Sequence, residues 1–507
     1  MSGSEAYETE LIEEEASLYE WSAVGAAALG FLVFLLSNAV ILRLVDVESE
    51  ILGTTVFSLF GFGLLVIGAG VVGLGLSSYL GFVETDPSQT SGIFVAAVFG
   101  LIGVLGFWIA AGSLVVGVAA GLLVAAFTAY VDEDLGSTAV PGLLSVGIGL
   151  VFVTGIIDPG WSWNPEGISV TFSATVVVPA LSAFSSLLTT WTSAKAHGDF
   201  GSRGRQKGAF VLIGLNAFGM LAILLALILF VTAKGLPQVV EGAQVFPPKV
   251  PFVMNSYSIL NQYNGIFPAI VGTVWLVVGA VLFSVPLGVG AAVFLTEYAE
   301  QGKFTRVVET ATNGLWSTPS IVFGLFGYAF LVPRFGNTSS LLSGMIVLGF
   351  MLLPLVLITT REALKSVPKA YRDSSAALGV NKWETIKSVV LPAAMPGITT
   401  GVILGVGRIA GETAPILLVT SGQPFPQAAV DVFSFSGSFP FVSANFSELM
   451  QPSSALPYQL YAIITAGVGG NEEFGWGTAF VLLLVVLSFY AIGIVSRKYF
   501  RRKLKHE

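Results

Sequence analysis

The apolar positions of this chain come in long unbroken runs separated by short polar stretches, without the strict alternation of a half-buried strand. The runs fall at about 22 to 45, 55 to 83, 92 to 131, 142 to 157 and 171 to 190, then near 209 to 233, 268 to 296, 311 to 333, 341 to 360, 393 to 421 and 475 to 496. Most are about 20 residues or longer, the length at which an α-helix crosses the hydrocarbon core, so they predict spanning helices rather than barrel strands. The 92 to 131 run is about twice that length, and Ala110-Ala111-Gly112-Ser113 predicts a turn that divides it in two. Six spans are expected before the polar break at Lys195 to Gly208 and six after it. The fold class is an all-α polytopic integral membrane protein.

The same pattern predicts the domain organisation. Residues 1 to 20 carry seven Glu and no Lys or Arg, unlike a signal or transit peptide, and are expected as an acidic cytoplasmic tail. Residues 21 to 194 form an N-terminal transmembrane block of unassigned role, free of Lys and Arg between Arg43 and Lys195. Its glycines, such as Gly61, Gly63, Gly68 and Gly70, are expected to let helices approach closely in lipid. Its spans are expected to hold no buried ionisable pair, which argues against a second transport path there. Residues 195 to 208 read as a basic cytoplasmic linker, and 209 to 507 as a second membrane domain interrupted by a charged loop at 361 to 392.

Composition sharpens this picture mainly by exclusion. Of 507 residues 54% are hydrophobic and 11% charged, with a mean hydropathy of +0.83, more than a soluble core needs. A net charge of −8 argues against nucleic-acid partners and leaves membrane lipid as the surrounding medium. With no Cys and only His197 and His506, both expected to face solvent, neither a metal site nor thiol chemistry is predicted. No His-Glu-x-x-His or Gly-x-Ser-x-Gly arrangement points to catalytic residues. There is no phosphate-binding Gly-x-x-x-x-Gly-Lys-Ser/Thr loop, since Gly302-Lys303 runs into Phe304, so no cofactor is expected on this chain and any ATP must be handled by another.

Cations set the predicted orientation. Four lie in the 195 to 207 break, two in the 297 to 310 loop, six between Arg361 and Lys387 and six between Arg497 and Lys505, together 18 of the 23 Lys and Arg. Placing these segments inside puts both termini in the cytoplasm.

Two segments carry candidate chemistry. Arg361 to Pro396 is a charged amphipathic stretch between apolar spans. It predicts a helix at 371 to 378, a turn at Gly379, which tolerates positive φ, and a second helix at 382 to 390 stopped by Pro392. Such a hairpin suits docking into a partner's groove. The second segment is Arg408-Ile409-Ala410-Gly411-Glu412-Thr413-Ala414-Pro415, expected deep within a span, where a charge costs at least about 2.5 to 3.5 kcal/mol. Arg408 and Glu412 would share a helix face and pair. One reading is a structural ion pair. The other is a translocation path in which the guanidinium offers forked donors to an oxyanion while Glu412 keeps the anion from being trapped.

Asp373-Ser374-Ser375, Gly379 and Leu391-Pro392 resemble the coupling loop of ABC importer permeases, with Asp-Ser-Ser in place of Glu-Ala-Ala. Arg-x-x-Gly-Glu-Thr-Ala-Pro resembles the signature of phosphate-specific importer permeases of PstA type. Gly265 to Thr273, Pro319 to Phe326, Leu353 to Glu362 and Leu456 to Tyr461 agree with that family in order. The resemblance covers about 208 to 503, and the N-terminal block has no counterpart in usual members.

The resemblance implies a six-helix ABC importer permease core preceded by about six extra transmembrane helices. It places Arg408, Glu412 and Thr413 on the substrate pathway, and Asp373, Ser374, Ser375, Gly379, Leu391 and Pro392 in the loop that couples to the ATPase. It also implies a second homologous permease, an ATPase dimer that uses ATP, and an extracytoplasmic phosphate-binding protein. A tungstate, molybdate or sulfate permease is the alternative within this architecture. A secondary transporter built from the two blocks is the alternative outside it, against which the blocks show no internal repeat.

Overall fold

The computed structural model describes residues 17 to 506 apart from 52, 165 to 168, 259 to 262, 301, 421, 433, 437 to 442, 446 and 468 to 471. The acidic tail expected at 1 to 20 therefore lies largely outside the described residues. Its last residues are helical instead: Ser17 caps the first helix, accepting from the Glu20 amide while the Glu20 carboxylate accepts from the Ser17 amide. The chain divides into two compact units, residues 1 to 227 and 228 to 507.

The first unit holds α1 (Leu18–Ile41), α2 (Val56–Tyr79), α3 (Ile93–Ala111), α4 (Leu114–Tyr130), α5 (Glu133–Val153), α6 (Ala174–His197) and the first part of α7 (Gly201–Val240). The long apolar run divides where the small residues predict, because Gly112 takes a left-handed φ of +65° between α3 and α4. Lipid offers no hydrophobic drive to pull helices together, so packing rests on close backbone approach. At the α2/α5 crossing a Cβ on Gly68 would lie 2.6 Å from the Gly142 carbonyl oxygen, and one on Gly142 would lie 2.9 Å from the Gly68 carbonyl oxygen. Gly61 likewise packs on α5, but Gly70 faces open space, so the glycine expectation holds only where the helix face meets a neighbour. Phe60, Leu64, Val71, Phe152 and Val178 fill the unit's apolar core.

The basic linker expected at 195 to 208 is absent as a linker. Lys195 ends α6 and is 1% exposed, and helix resumes at Gly201 after a turn in which Asp199 and Phe200 have φ of +56°. His197, expected in solvent, is half-buried with its Nδ1 enclosed. The physical reason is tertiary: Lys195 Nζ pairs with Glu133 Oε1 at 2.8 Å, and Arg205 Nη1 takes Glu133 Oε2 at 2.8 Å. This first block therefore does contain a buried ion pair, drawn from residues 62 positions apart that no local pattern links.

The second unit continues α7 and adds α8 (Pro251–Met254), α9 (Phe267–Val293), α10 (Lys303–Ser317), α11 (Ser320–Phe326), α12 (Leu341–Lys365), α13 (Lys369–Ala377), α14 (Lys382–Thr385), α15 (Leu391–Ala410), α16 (Ala414–Val419), α17 (Leu456–Ala466) and α18 (Glu472–His506). Three predicted spans are modified. The run at 311 to 333 is bent by 101° between α10 and α11, because Pro319 holds Thr318 extended and cannot donate to the helix. Pro392 does not stop its helix; a π-helical turn at Ile386–Val390 widens the backbone just where the proline ring would meet the carbonyl of the preceding turn, and helix runs on from Lys382 to Ala410. The expected 393 to 421 span breaks at Gly411.

Among the described residues nine helices are long and apolar enough to cross a membrane, ten if the bent pair counts as one, while α3 and α4 are shorter. The core of this unit is built on α12, whose Leu341, Leu348, Leu352 and Val356 are buried against α9, α15 and α16.

Candidate functional site

The break after α15 defines the site. Helical hydrogen bonding ends at Ala410, Gly411 closes the helix, Glu412 and Thr413 lie between helices, and Thr413 caps α16 with its carbonyl accepting from Leu417. The expectation of one helix face shared by Arg408 and Glu412 is therefore corrected: they are brought together across a break in the helix. The pair still forms, loosely, with Arg408 Nε 3.8 Å from Glu412 Oε1 and side chains 38% and 18% exposed. The Arg408 guanidinium also lies over the Trp316 ring, 4.4 Å from its centroid, a contact worth about 0.5 to 2 kcal/mol. Broken helices within membrane domains are tolerated where they face protein or a water-filled cavity, and there their freed backbone and charges can meet an ion.

Arg408 stands 17 residues beyond Leu391, roughly 25 Å along the helix. It is held there by close packing of α15 on α12: a Cβ on Gly397 would meet Ala363, and Gly401 and Gly405 pack on Thr359 and Leu352. Pro415 fixes the other side of the break, since a Cβ on Gly324 of α11 would lie 2.8 Å from its Cα. The segments 265 to 273 and 456 to 461 meet in the same unit, where the Leu456 amide donates to Thr273 Oγ1 at 2.9 Å.

The charged stretch at 361 to 392 forms the predicted hairpin, but its second helix is α-helical only over Lys382–Thr385 and passes into the π-helical turn at Ile386–Val390. α13 presents Asp373 and Ser374 outward, while Ser375 is buried and donates to the Tyr371 carbonyl at 3.1 Å. Gly379 has a φ of +73°, which a residue with a Cβ adopts only under strain, and the Asn381 side chain caps α14. Tyr371, Leu378 and Trp383 are exposed at 52%, 82% and 58%, an apolar tip suited to a groove on another chain. Leu391 and Pro392 begin α15 and join the hairpin to the Arg408 helix in one continuous rod.

Residues outside the predicted set complete this geometry. Arg372 forks onto Glu297, with Nη2 2.6 Å from Oε1, and donates to the Val367 and Leu364 carbonyls at 3.0 and 3.1 Å, satisfying the end of α12. Lys382 Nζ sits 4.9 Å from the Tyr298 ring centroid. These contacts tie the hairpin to the helices. Trp316, Arg372 and Glu297 had a sequence signal only in retrospect: Arg372 adjoins Asp373, and Trp316 lies on the polar amphipathic helix α10. Among the described residues no group of acidic, His and Cys side chains could hold a metal ion.

Residues 284–506 match the family of binding-protein-dependent transport system inner membrane components. The chain is 32% identical over 285 residues to the probable ABC transporter permease protein YqgI of Bacillus subtilis, covering 56% of this chain and 92% of that one. Phosphate transport system permease proteins PstA of Xylella fastidiosa and Haemophilus influenzae are 32% and 31% identical, over 50% and 58% of this chain and 79% and 90% of theirs. The chain belongs to the PstA-type family of ABC importer permeases. As a PstA-type permease it is a multi-pass membrane transport subunit, and its class works with an ATPase and a binding protein. The family match begins within α9, so the first unit lies wholly outside it.

Proposed function

We propose that this chain is the permease subunit through which inorganic phosphate crosses the cytoplasmic membrane, with both termini in the cytoplasm. In this reading a second homologous permease completes the path. Two copies of an ATPase engage the hairpins, and an extracytoplasmic binding protein delivers the ion. Arg408 is the observation that carries it: a guanidinium at a helix break, deep in a membrane domain, part-exposed and only loosely held by Glu412. Forked N–H donors match a tetrahedral oxyanion, and a carboxylate within 4 Å offsets enough of the positive charge for binding to stay transient. Thr413, at the same break, adds a backbone and hydroxyl lining. The hairpin and the continuous rod from Lys382 to Ala410 give ATPase closure a mechanical route to this point.

The PstA relatives favour phosphate; tungstate, molybdate or sulfate would suit the same guanidinium. The deciding experiment is ATP hydrolysis by the chain reconstituted in vesicles with its candidate partner permease, ATPase and binding protein. Stimulation by phosphate and not by sulfate or tungstate is expected. Stimulation by another oxyanion alone would change the cargo, and uptake without ATP would overturn the importer reading.

A further inference from the structure

A second arginine stands near the coupling-hairpin end of the same unit. Arg361, in the last turns of α12, is 13% exposed and pairs through Nη2 with Glu309 of α10. Its Nε is buried without a hydrogen-bond partner among the described residues. A buried guanidinium N–H left without an acceptor is costly, and an oxygen-rich ligand would satisfy it. Beside it is a cavity of about 230 Å³ whose polar wall is Glu309, Thr312, Asn313, Arg361, Glu362 and Lys365. That volume falls below the range of pockets for drug-sized ligands and suits a small hydrated ion.

The cavity lines up with Arg408. Glu309, Thr312, Asn313 and Trp316 recur at helical spacing on one face of α10, so Trp316 at Arg408 and Glu309 at Arg361 are two turns, roughly 10 Å, apart. The α12/α15 register agrees: Gly397 packs on Ala363 and Gly405 on Leu352, which sets Arg361 nine or ten residues, roughly 14 Å, nearer the hairpin end than Arg408. Each arginine has a carboxylate on part of its guanidinium fork, loosely at Arg408 and closely at Arg361, whose Nε is nevertheless left without a partner among the described residues. At the lower cavity Glu309 and Glu362 balance Arg361 and Lys365, so an anion entering it is held weakly.

We propose that Arg361, Asn313 and Lys365 form an inner oxyanion station, which receives the ion that has passed Arg408 before its release. The station rests on the oxyanion reading of Arg408. Glu309 is its counterweight, and its carboxylate yields the guanidinium to the arriving ion.

The test is a titration of inorganic phosphate, with sulfate in parallel, on the assembled permease and ATPase complex in nanodiscs without binding protein. Wild type is compared with Arg408→Gln, Arg361→Gln, their double variant and Glu309→Gln. Arg408→Gln is expected to keep one saturable phosphate site that the double variant lacks. Glu309→Gln, nearly isosteric, is expected to tighten that site by about two- to fivefold, the strength of a part-exposed ion pair. A merely structural Arg361–Glu309 bridge would not tighten anion binding on its loss. An unchanged site in the double variant, or no tightening in Glu309→Gln, overturns the station even if phosphate still drives ATP hydrolysis. If sulfate rather than phosphate saturates the site with the same dependence on Arg361, the station stands and the cargo changes.

Discussion

Two charged clusters, one in each unit, put Arg or Lys against Glu in a membrane protein, and they are built to opposite ends. In the first unit Glu133 and Lys195 are 1% and 2% exposed, 2.8 Å apart, and joined by Arg205 and Ser88. Glu133 begins α5 and Lys195 ends α6, so each also complements its helix dipole. Both carboxylate oxygens of Glu133 are held there by fixed donors. Arg408 in the second unit is more exposed, its carboxylate partner sits at 3.8 Å, and it stands just before a helix break. A tight pair with both members enclosed makes a clamp, whereas a loose, part-exposed pair, or one that leaves a guanidinium N–H unpartnered, can exchange partners. Charge within a span is thus a functional signal only together with its geometry.

The comparison breaks most sharply at Arg408. Arg408→Ala is expected to cut phosphate uptake in reconstituted vesicles by at least about 100-fold, the scale of losing a charge-assisted bidentate contact, while the complex still assembles. Unchanged uptake would remove Arg408 from the path and make the pair structural after all. Lys195→Ala should do the reverse, costing about 3 to 5 kcal/mol of stability because it strips a partner from a buried carboxylate. Thermal unfolding of the full chain reads this, and uptake per assembled complex should stay near wild type. A large uptake defect in stable protein would mean the first unit takes part in transport.

Gly379→Val forces a β-branched residue into positive φ and should cost about 1 to 2 kcal/mol locally, raising ATP hydrolysed per ion moved. Coupled transport at the normal ratio would remove the hairpin from the coupling route. The smallest change is expected from Arg205→Ala, whose half-exposed side chain should contribute no more than about 1 kcal/mol beside Lys195. A loss as large as that of Lys195→Ala would show that exposure does not rank the members of the clamp.

Much of this architecture follows from runs of apolar residues alone, because a helix in lipid must satisfy its own backbone and so declares its length in sequence. Six helices ahead of the 195 to 208 stretch, the turn at Gly112 and the positive φ of Gly379 were all readable that way. So were Arg408 and Glu412 as a charged pair, since ionisable residues in an apolar run stand out. Family membership was legible in the spacing of the Gly-Glu-Thr-Ala-Pro and Leu-Pro segments.

What only the tertiary structure decided was where chains far apart in sequence meet and where backbone regularity gives way. The pairing of Glu133 with Lys195 turned an expected linker into a helix end. Pro319 bent one expected span and Gly411 broke another, while Pro392, with the same missing N–H, was absorbed by a π-turn. Proline and glycine state that a helix is weakened; whether it bends, breaks or continues depends on what packs against it. The same holds for Trp316 over Arg408 and Glu309 on Arg361, contacts that set the surroundings of both arginines yet rest on helix crossings that no local pattern encodes.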